Sequence, residues 1–206
     1  LQRFPDISAL LDIEREQAHI RARLAAPVRH DDPFPYVYVE DVLSPRFYEA
    51  LDAAWPDVAV FPPDERPNRR DLVPQPPGTA PADKRASTYL QVAEPMRQVW
   101  DYFILDVNRR IIGPWLLAIF GPEIDARLRT VRELRAQGRA VKDYYAEPYQ
   151  PQMNVGRLMM RGQGFKLRPH AHSLAYLVTA LYYFPDAHDD DELGTTLYRT
   201  DGELSA

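Results

Sequence analysis

The chain has 206 residues, 45% hydrophobic and 27% charged, the balance of an ordinary globular protein with enough length for a sizeable core. A net charge of -5 argues against a nucleic-acid binder, and the lack of cysteine excludes disulfides, zinc fingers and thiol catalysis while fitting a cytoplasmic protein. No apolar run approaches the ~20 residues needed to span a bilayer, and no basic start with an apolar core reads as a signal peptide.

Residues 6–26 read as a surface helix, capped by Asp6 and ended by Pro27. Its apolar positions, Ile7, Leu10, Leu11, Ile13, Ile20 and Leu24, are only loosely periodic, and His19 falls on its solvent side. Tyr36 to Val39, within 33–43, are strong strand formers. Ser44 and Pro45 then fit the N-cap and first position of a helix whose apolar face is Phe47, Tyr48, Leu51, Ala54 and Trp55.

Eight prolines between 56 and 81 rule out a regular helix or a central strand there. The stretch reads as a long surface connection, with a lid as the alternative. Arg66, Arg69, Arg70, Lys84 and Arg85 in or beside it are read as solvated charges among acidic neighbours, or as contacts for an acidic substrate.

Pro95 opens the clearest helix. Met96, Val99, Trp100, Phe103, Ile104 and Val107 follow the spacing of a buried stripe, and Gly113-Pro114 is expected to break it. Residues 123–145 read as a further helix with a basic, solvated face formed by Arg127, Arg129, Arg132, Arg135, Arg139 and Lys142. After Pro151 the texture changes to short β-rich runs at 152–161, 165–172, 176–184 and 194–199, separated by Gly162, Gly164, Pro185 and the acidic turn at 189–192. No internal repeat or second-domain boundary is visible, so the expectation is a single domain over 1–206, with helical support mainly in 1–145.

The run Gly164-Phe165-Lys166-Leu167-Arg168-Pro169-His170-Ala171-His172 carries the chemistry. On a strand, His170 and His172 share one face, and two neutral imidazoles side by side can grip one divalent metal. A His-x-His pair alone is weak, because histidines in sheets are commonly structural. His188 in its acidic turn reads as exposed.

The order of these runs resembles the prolyl-hydroxylase-like branch of the 2-oxoglutarate- and Fe(II)-dependent oxygenases. The matching residues are Gly164, Pro169-His170-Ala171-His172, Thr179-Ala180-Leu181-Tyr182-Tyr183-Phe184, Leu193-Gly194-Thr195-Thr196-Leu197-Tyr198 and the segment 33–43. The resemblance implies an α+β fold with a double-stranded β-helix (jelly-roll, cupin-like) core and supporting N-terminal helices. It implies Fe(II) held by two histidines and one carboxylate, with positions left open for 2-oxoglutarate and O2. The activity implied is oxidative decarboxylation of 2-oxoglutarate coupled to hydroxylation of a small molecule or an amino-acid side chain.

Carried onto this chain, the metal ligands are His170 and His172. Thr179, Tyr183 and Arg161 are candidates for holding the cosubstrate, and Arg168 for the substrate. Core packing is the alternative for Thr179 and Tyr183, and an exposed rim position for the arginines. His172 departs from the pattern, since the family has an aspartate there. The family's distal histidine and its cosubstrate-binding Arg or Lys are expected on strands that would follow Ala206. A cupin is a lesser alternative, because Leu174 to Leu177 stand where its glutamate belongs. A β-helix binding module without turnover is the non-enzyme alternative.

Overall fold

The computed structural model describes residues 7–62, 69–74, 88–139, 157–161, 176–184, 195 and 197. In chain order its elements are α1 (Ile7–Leu10), α2 (Ile13–Leu24), β1 (Val28–His30), β2 (Tyr36–Tyr38), α3 (Pro45–Ala53), a 3-10 turn (Val58–Val60), β3 (Arg69–Leu72), α4 (Glu94–Asp101), a π-helical segment (Tyr102–Ile112), α5 (Gly113–Ile119), α6 (Gly121–Ala136) and β4 (Leu158–Arg161). They fall into two compact units. One comprises Leu1–Pro27, Val39–Pro114 and Met153–Leu167, the other Val28–Tyr38, Trp115–Gln152 and Arg168–Ala206.

In the first unit, the helix expected over 6–26 is two helices. Asp12 interrupts it and caps α2, its side chain accepting from the Arg15 N–H at 3.2 Å. The break explains the loose periodicity. Ile7, Leu11, Ile13, Ile20 and Leu24 are all buried, but from two helical registers rather than one. His19 is half-buried, and its Nε2 lies 2.9 Å from the Asp41 carbonyl. Arg23 donates to the neighbouring Glu40 carbonyl at 3.0 and 2.8 Å. Both side chains thus hold the turn in which Asp41 takes φ 50°, a left-handed conformation that Asp tolerates better than most residues.

Ser44 caps α3 as its sequence predicts, with Pro45 at the first helical position. Its Oγ accepts from the Phe47 N–H at 3.1 Å and donates to the buried carboxylate of Glu16, joining α2 to α3. Ser44→Ala removes both bonds and leaves Glu16 without this donor. The expected loss is about 1–2 kcal/mol in a urea unfolding titration; a loss within error would mean that water replaces the serine.

Phe47 and Leu51 of α3 pack into an aromatic cluster with the stripe of α4 and the π-helical segment. Trp55 meets Trp100 edge-on at 5.3 Å between ring centroids, and Phe103 meets Trp100 and Phe47 edge-on at 6.1 Å each. The expected helix break at Gly113-Pro114 does not occur. The Gly113 N–H donates to the Asn108 carbonyl five residues back, and Pro114 enters the first turn of α5, where its missing N–H costs little.

The proline-rich stretch also holds an element that was not expected. Arg69 to Leu72 contain no proline and form β3, antiparallel to β4 with Arg69 opposite Arg161 and Leu72 opposite Leu158. Arg69 is therefore not a solvated loop charge, whereas Arg70 is exposed, as expected, though on a strand. Arg69 forks onto the buried Asp71 carboxylate, and Arg70 donates to the Phe61 carbonyl at 3.1 Å. Arg66, Lys84 and Arg85 lie outside the described residues.

In the second unit, β1 and β2 form an antiparallel pair, and His30 stacks on its partner Tyr36 with ring centroids 4.7 Å apart. Arg29 on β1 donates to the Ile119 carbonyl at 2.9 Å and pairs with Asp31 and Glu123, lying over the Phe120 ring. The Arg29 guanidinium holds the Glu123 carboxyl below its ordinary range, through their hydrogen bond first. The helix expected over 123–145 ends at Ala136. Gly138, at φ 73°, closes it by sending its N–H to the Arg135 carbonyl while Arg139 reaches Leu134. Arg129, Arg132, Arg135 and Arg139 are exposed, as expected of a solvated face.

The double-stranded β-helix is not what the described residues form. Helices dominate them, and their strands make only two small two-stranded antiparallel sheets. Among the described residues, 176–184, expected as a strand of the β-helix, pair with no other strand. The physical reason is that β propensity is realised only against a neighbouring strand. Of the described residues in the expected strands, Tyr176, Leu181, Tyr183 and Leu197 are exposed, and the buried aromatic and branched side chains come mainly from the helices. Among the described residues no helix is long and apolar enough to cross a membrane.

Candidate functional site

The histidine motif begins three residues after β4 ends at Arg161. His170, His172 and Arg168 lie outside the described residues, as do His188 and the acidic turn at 189–192. The backbone of Arg161 closes the β3–β4 ladder opposite Arg69.

That ladder is anchored by Asp71, the least exposed carboxylate among the described residues. The Asp71 side chain has no exposure. It accepts from Arg69 Nε at 2.8 Å and Nη2 at 2.6 Å, and Arg157 Nη1 stands 3.7 Å away. Residues 69 and 71 share a strand face by their spacing of two, which brings the fork onto the carboxylate. Arg157 immediately precedes β4, so the charge cluster ties both strands together before the chain runs on toward Gly164.

Thr179 and Tyr183 of the second unit are both exposed, Tyr183 at 52%. The Tyr183 hydroxyl shares a short hydrogen bond with the Thr195 hydroxyl. The segment presents Tyr183 at its surface rather than into a core, so packing does not account for this residue.

Elsewhere in the first unit, Tyr89 is fully buried and donates from its phenol to Asp101 Oδ1 at 2.8 Å. Burial first, and then the Asp101 charge, push this phenol far above its ordinary range, so it stays a donor. The pair reads as a satisfied internal contact.

Sequence reading missed a cleft of about 190 Å3 beside α2 and the π-helical segment. Gln17, Arg21, Tyr102, Asp106 and Arg110 supply its polar wall. Gln17 Nε2 donates to the Tyr102 oxygen at 3.3 Å, and Arg110 Nε pairs with Asp106 at 3.2 Å. Burial, foremost, raises the Tyr102 phenol above its ordinary range, with Gln17 opposing it. The four-residue spacings 17/21 and 106/110 were the available signal. They point to helix-surface pairs as readily as to a cleft.

Among the described residues no group of three His, Asp or Glu side chains is placed to hold a metal ion. Comparison with protein-family models, with curated proteins and with solved structures finds no match for this chain.

Proposed function

We propose that this protein is a 2-oxoglutarate- and Fe(II)-dependent dioxygenase that hydroxylates a small molecule or an amino-acid side chain. The single observation that carries the reading is the run Gly164…Pro169-His170-Ala171-His172 followed by Thr179-Ala180-Leu181-Tyr182-Tyr183-Phe184. Two imidazoles two residues apart in extended backbone present nitrogen donors to one side, and imidazole suits Fe, Zn, Cu and Ni alike. The iron, when bound, supplies the activation of O2 and of 2-oxoglutarate.

In this reading the chain's own residues divide the remaining work. His170 and His172 hold the metal, with neutral His172 in place of a carboxylate, so the site carries one negative charge fewer and retains iron less tightly. Arg161 offers a guanidinium to a carboxylate of the cosubstrate, and Thr179 and Tyr183 offer hydroxyls. The exposure of Tyr183 and its link to Thr195 favour a hydroxyl that polar ligands can reach. Arg168 meets the substrate. The cysteine-free composition fits work in the cytoplasm.

His172 also favours a second reading, a metal- or ligand-binding module that does not turn over. Anaerobic titration of metal-free protein with Fe(II), with and without 2-oxoglutarate, separates the two. The oxygenase reading expects a saturable visible charge-transfer band that needs 2-oxoglutarate and disappears in His170→Ala. Metal binding without such a band, or a band untouched by His170→Ala, would sink it.

A further inference from the structure

The cleft beside the π-helical segment combines an apolar lining with a charged one. Ile7, Ile13 and Ile111 supply the apolar lining, and all three are among the buried core residues. The polar lining, Gln17 and Arg21 of α2 with Tyr102, Asp106 and Arg110 of the π-helical segment, carries an imbalance of charge. Arg110 and Asp106 neutralise one another at 3.2 Å. Among the described residues Arg21 is bonded only to the neutral Gln17 oxygen, at 3.4 and 3.5 Å, near the outer limit of a hydrogen bond. Its guanidinium therefore keeps an uncancelled positive charge and donors for a planar anion. The Asp106 side chain is only 13% exposed, so it stands behind Arg110 as a fixed partner rather than at the mouth.

The backbone here is also unusual. Tyr102 to Ile112 are wound in a π-helix, a form that is rare and occurs frequently at functional sites. Three cleft residues, Tyr102, Asp106 and Arg110, follow one another at four-residue intervals along it. On α2 the cleft residues Ile13, Gln17 and Arg21 follow at the same interval.

We infer that this cleft is a binding site for a small monocarboxylate with a short branched apolar tail. The carboxylate lies against Arg21, with Arg110 flanking it, and the tail lies on Ile7, Ile13 and Ile111. Size supports the class, because a cleft of about 190 Å3 takes a small acid and not a drug-sized ligand. A guanidinium fork takes a carboxylate or a phosphate alike; the monocarboxylate is favoured because one uncancelled guanidinium matches a single negative charge and the rest of the lining is largely apolar or already paired. The site is independent of the histidine motif and stands whether or not the oxygenase reading does.

The test is isothermal titration of the full chain with 3-methylbutanoate, beside 3-methylbutan-1-ol and 3-methylbutan-1-amine, which keep the tail and replace the anion. The expected result is saturable binding of the acid in the millimolar range, clearly tighter than either analogue. Arg21→Gln should weaken it about tenfold, the effect of losing a charge-assisted contact, with the unfolding midpoint unchanged because Arg21 is exposed. Arg110→Gln should weaken it less. No saturable binding of the acid, equal binding of the amine, or an Arg21→Gln variant that is folded and binds as tightly as the parent would each overturn the assignment.

Discussion

Asp71→Ala is expected to destabilise the protein by about 3–5 kcal/mol, the cost of breaking a buried ion pair from one side. The Asp71 carboxylate is fully buried, and the Arg69 side chain that forks onto it is only 9% exposed. Alanine takes away the carboxylate onto which that buried guanidinium forks. The large number is the penalty for losing this partner in a desolvated place and not the worth of the pair. The double variant Arg69→Met with Asp71→Leu removes both charges at similar volume and should therefore lie close to the parent. Urea unfolding of the three proteins decides the matter. A single variant within about 1 kcal/mol of the parent would mean that the pair is solvated like an ordinary surface bridge. Raising the salt concentration should leave the difference nearly intact, since ions screen a buried pair poorly.

Trp100→Ala is the second large effect, expected at about 3–5 kcal/mol. Trp100 is 1% exposed and sits at the meeting point of Trp55 and Phe103, so its removal opens a cavity in the centre of the aromatic cluster. Its indole N–H also donates to the Ala54 carbonyl at 2.8 Å, tying α4 to the end of α3. Trp100→Phe separates the two contributions. It keeps most of the ring packing but leaves a buried carbonyl without this donor, for an expected loss of about 1–3 kcal/mol. Thermal unfolding with near-ultraviolet circular dichroism reads both variants. Equal stability of Trp100→Phe and the parent would show that the carbonyl finds another partner.

What could be read from the chain alone was local. Ser44-Pro45 announced a helix start because the cap needs only residues three apart. The stripe from Val99 to Val107 announced a buried helix face for the same kind of reason. The stop at Gly138 was equally local. A glycine that takes φ 73° after a helical run is a terminator, and reading the basic pattern past it to 145 gave that pattern precedence over the glycine.

What was misread was non-local. Arg69 to Leu72 sit among prolines, and nothing near them shows that Leu158 to Arg161 will supply the other half of a ladder. The same ignorance made Arg69 look solvated, when pairing buries Asp71 and draws the arginine in after it. In the opposite direction, 176–184 has the composition of a strand and makes no strand pairing among the described residues, so the jelly-roll inferred from such runs does not appear there. The cleft lined by Gln17, Arg21, Tyr102, Asp106 and Arg110 was likewise out of reach, because it joins α2 to a segment about 85 residues later.

By itself the sequence determined helix caps, buried stripes, the cysteine-free chemistry and the one pairing of imidazoles, His170 and His172, on which the oxygenase proposal stands. These depend on residues within a turn or two of one another. Only the tertiary structure decided which strands pair, which charges lose water, and where a guanidinium shares a cleft with apolar side chains. Those outcomes depend on burial, and burial is set by segments that the chain brings together from far apart.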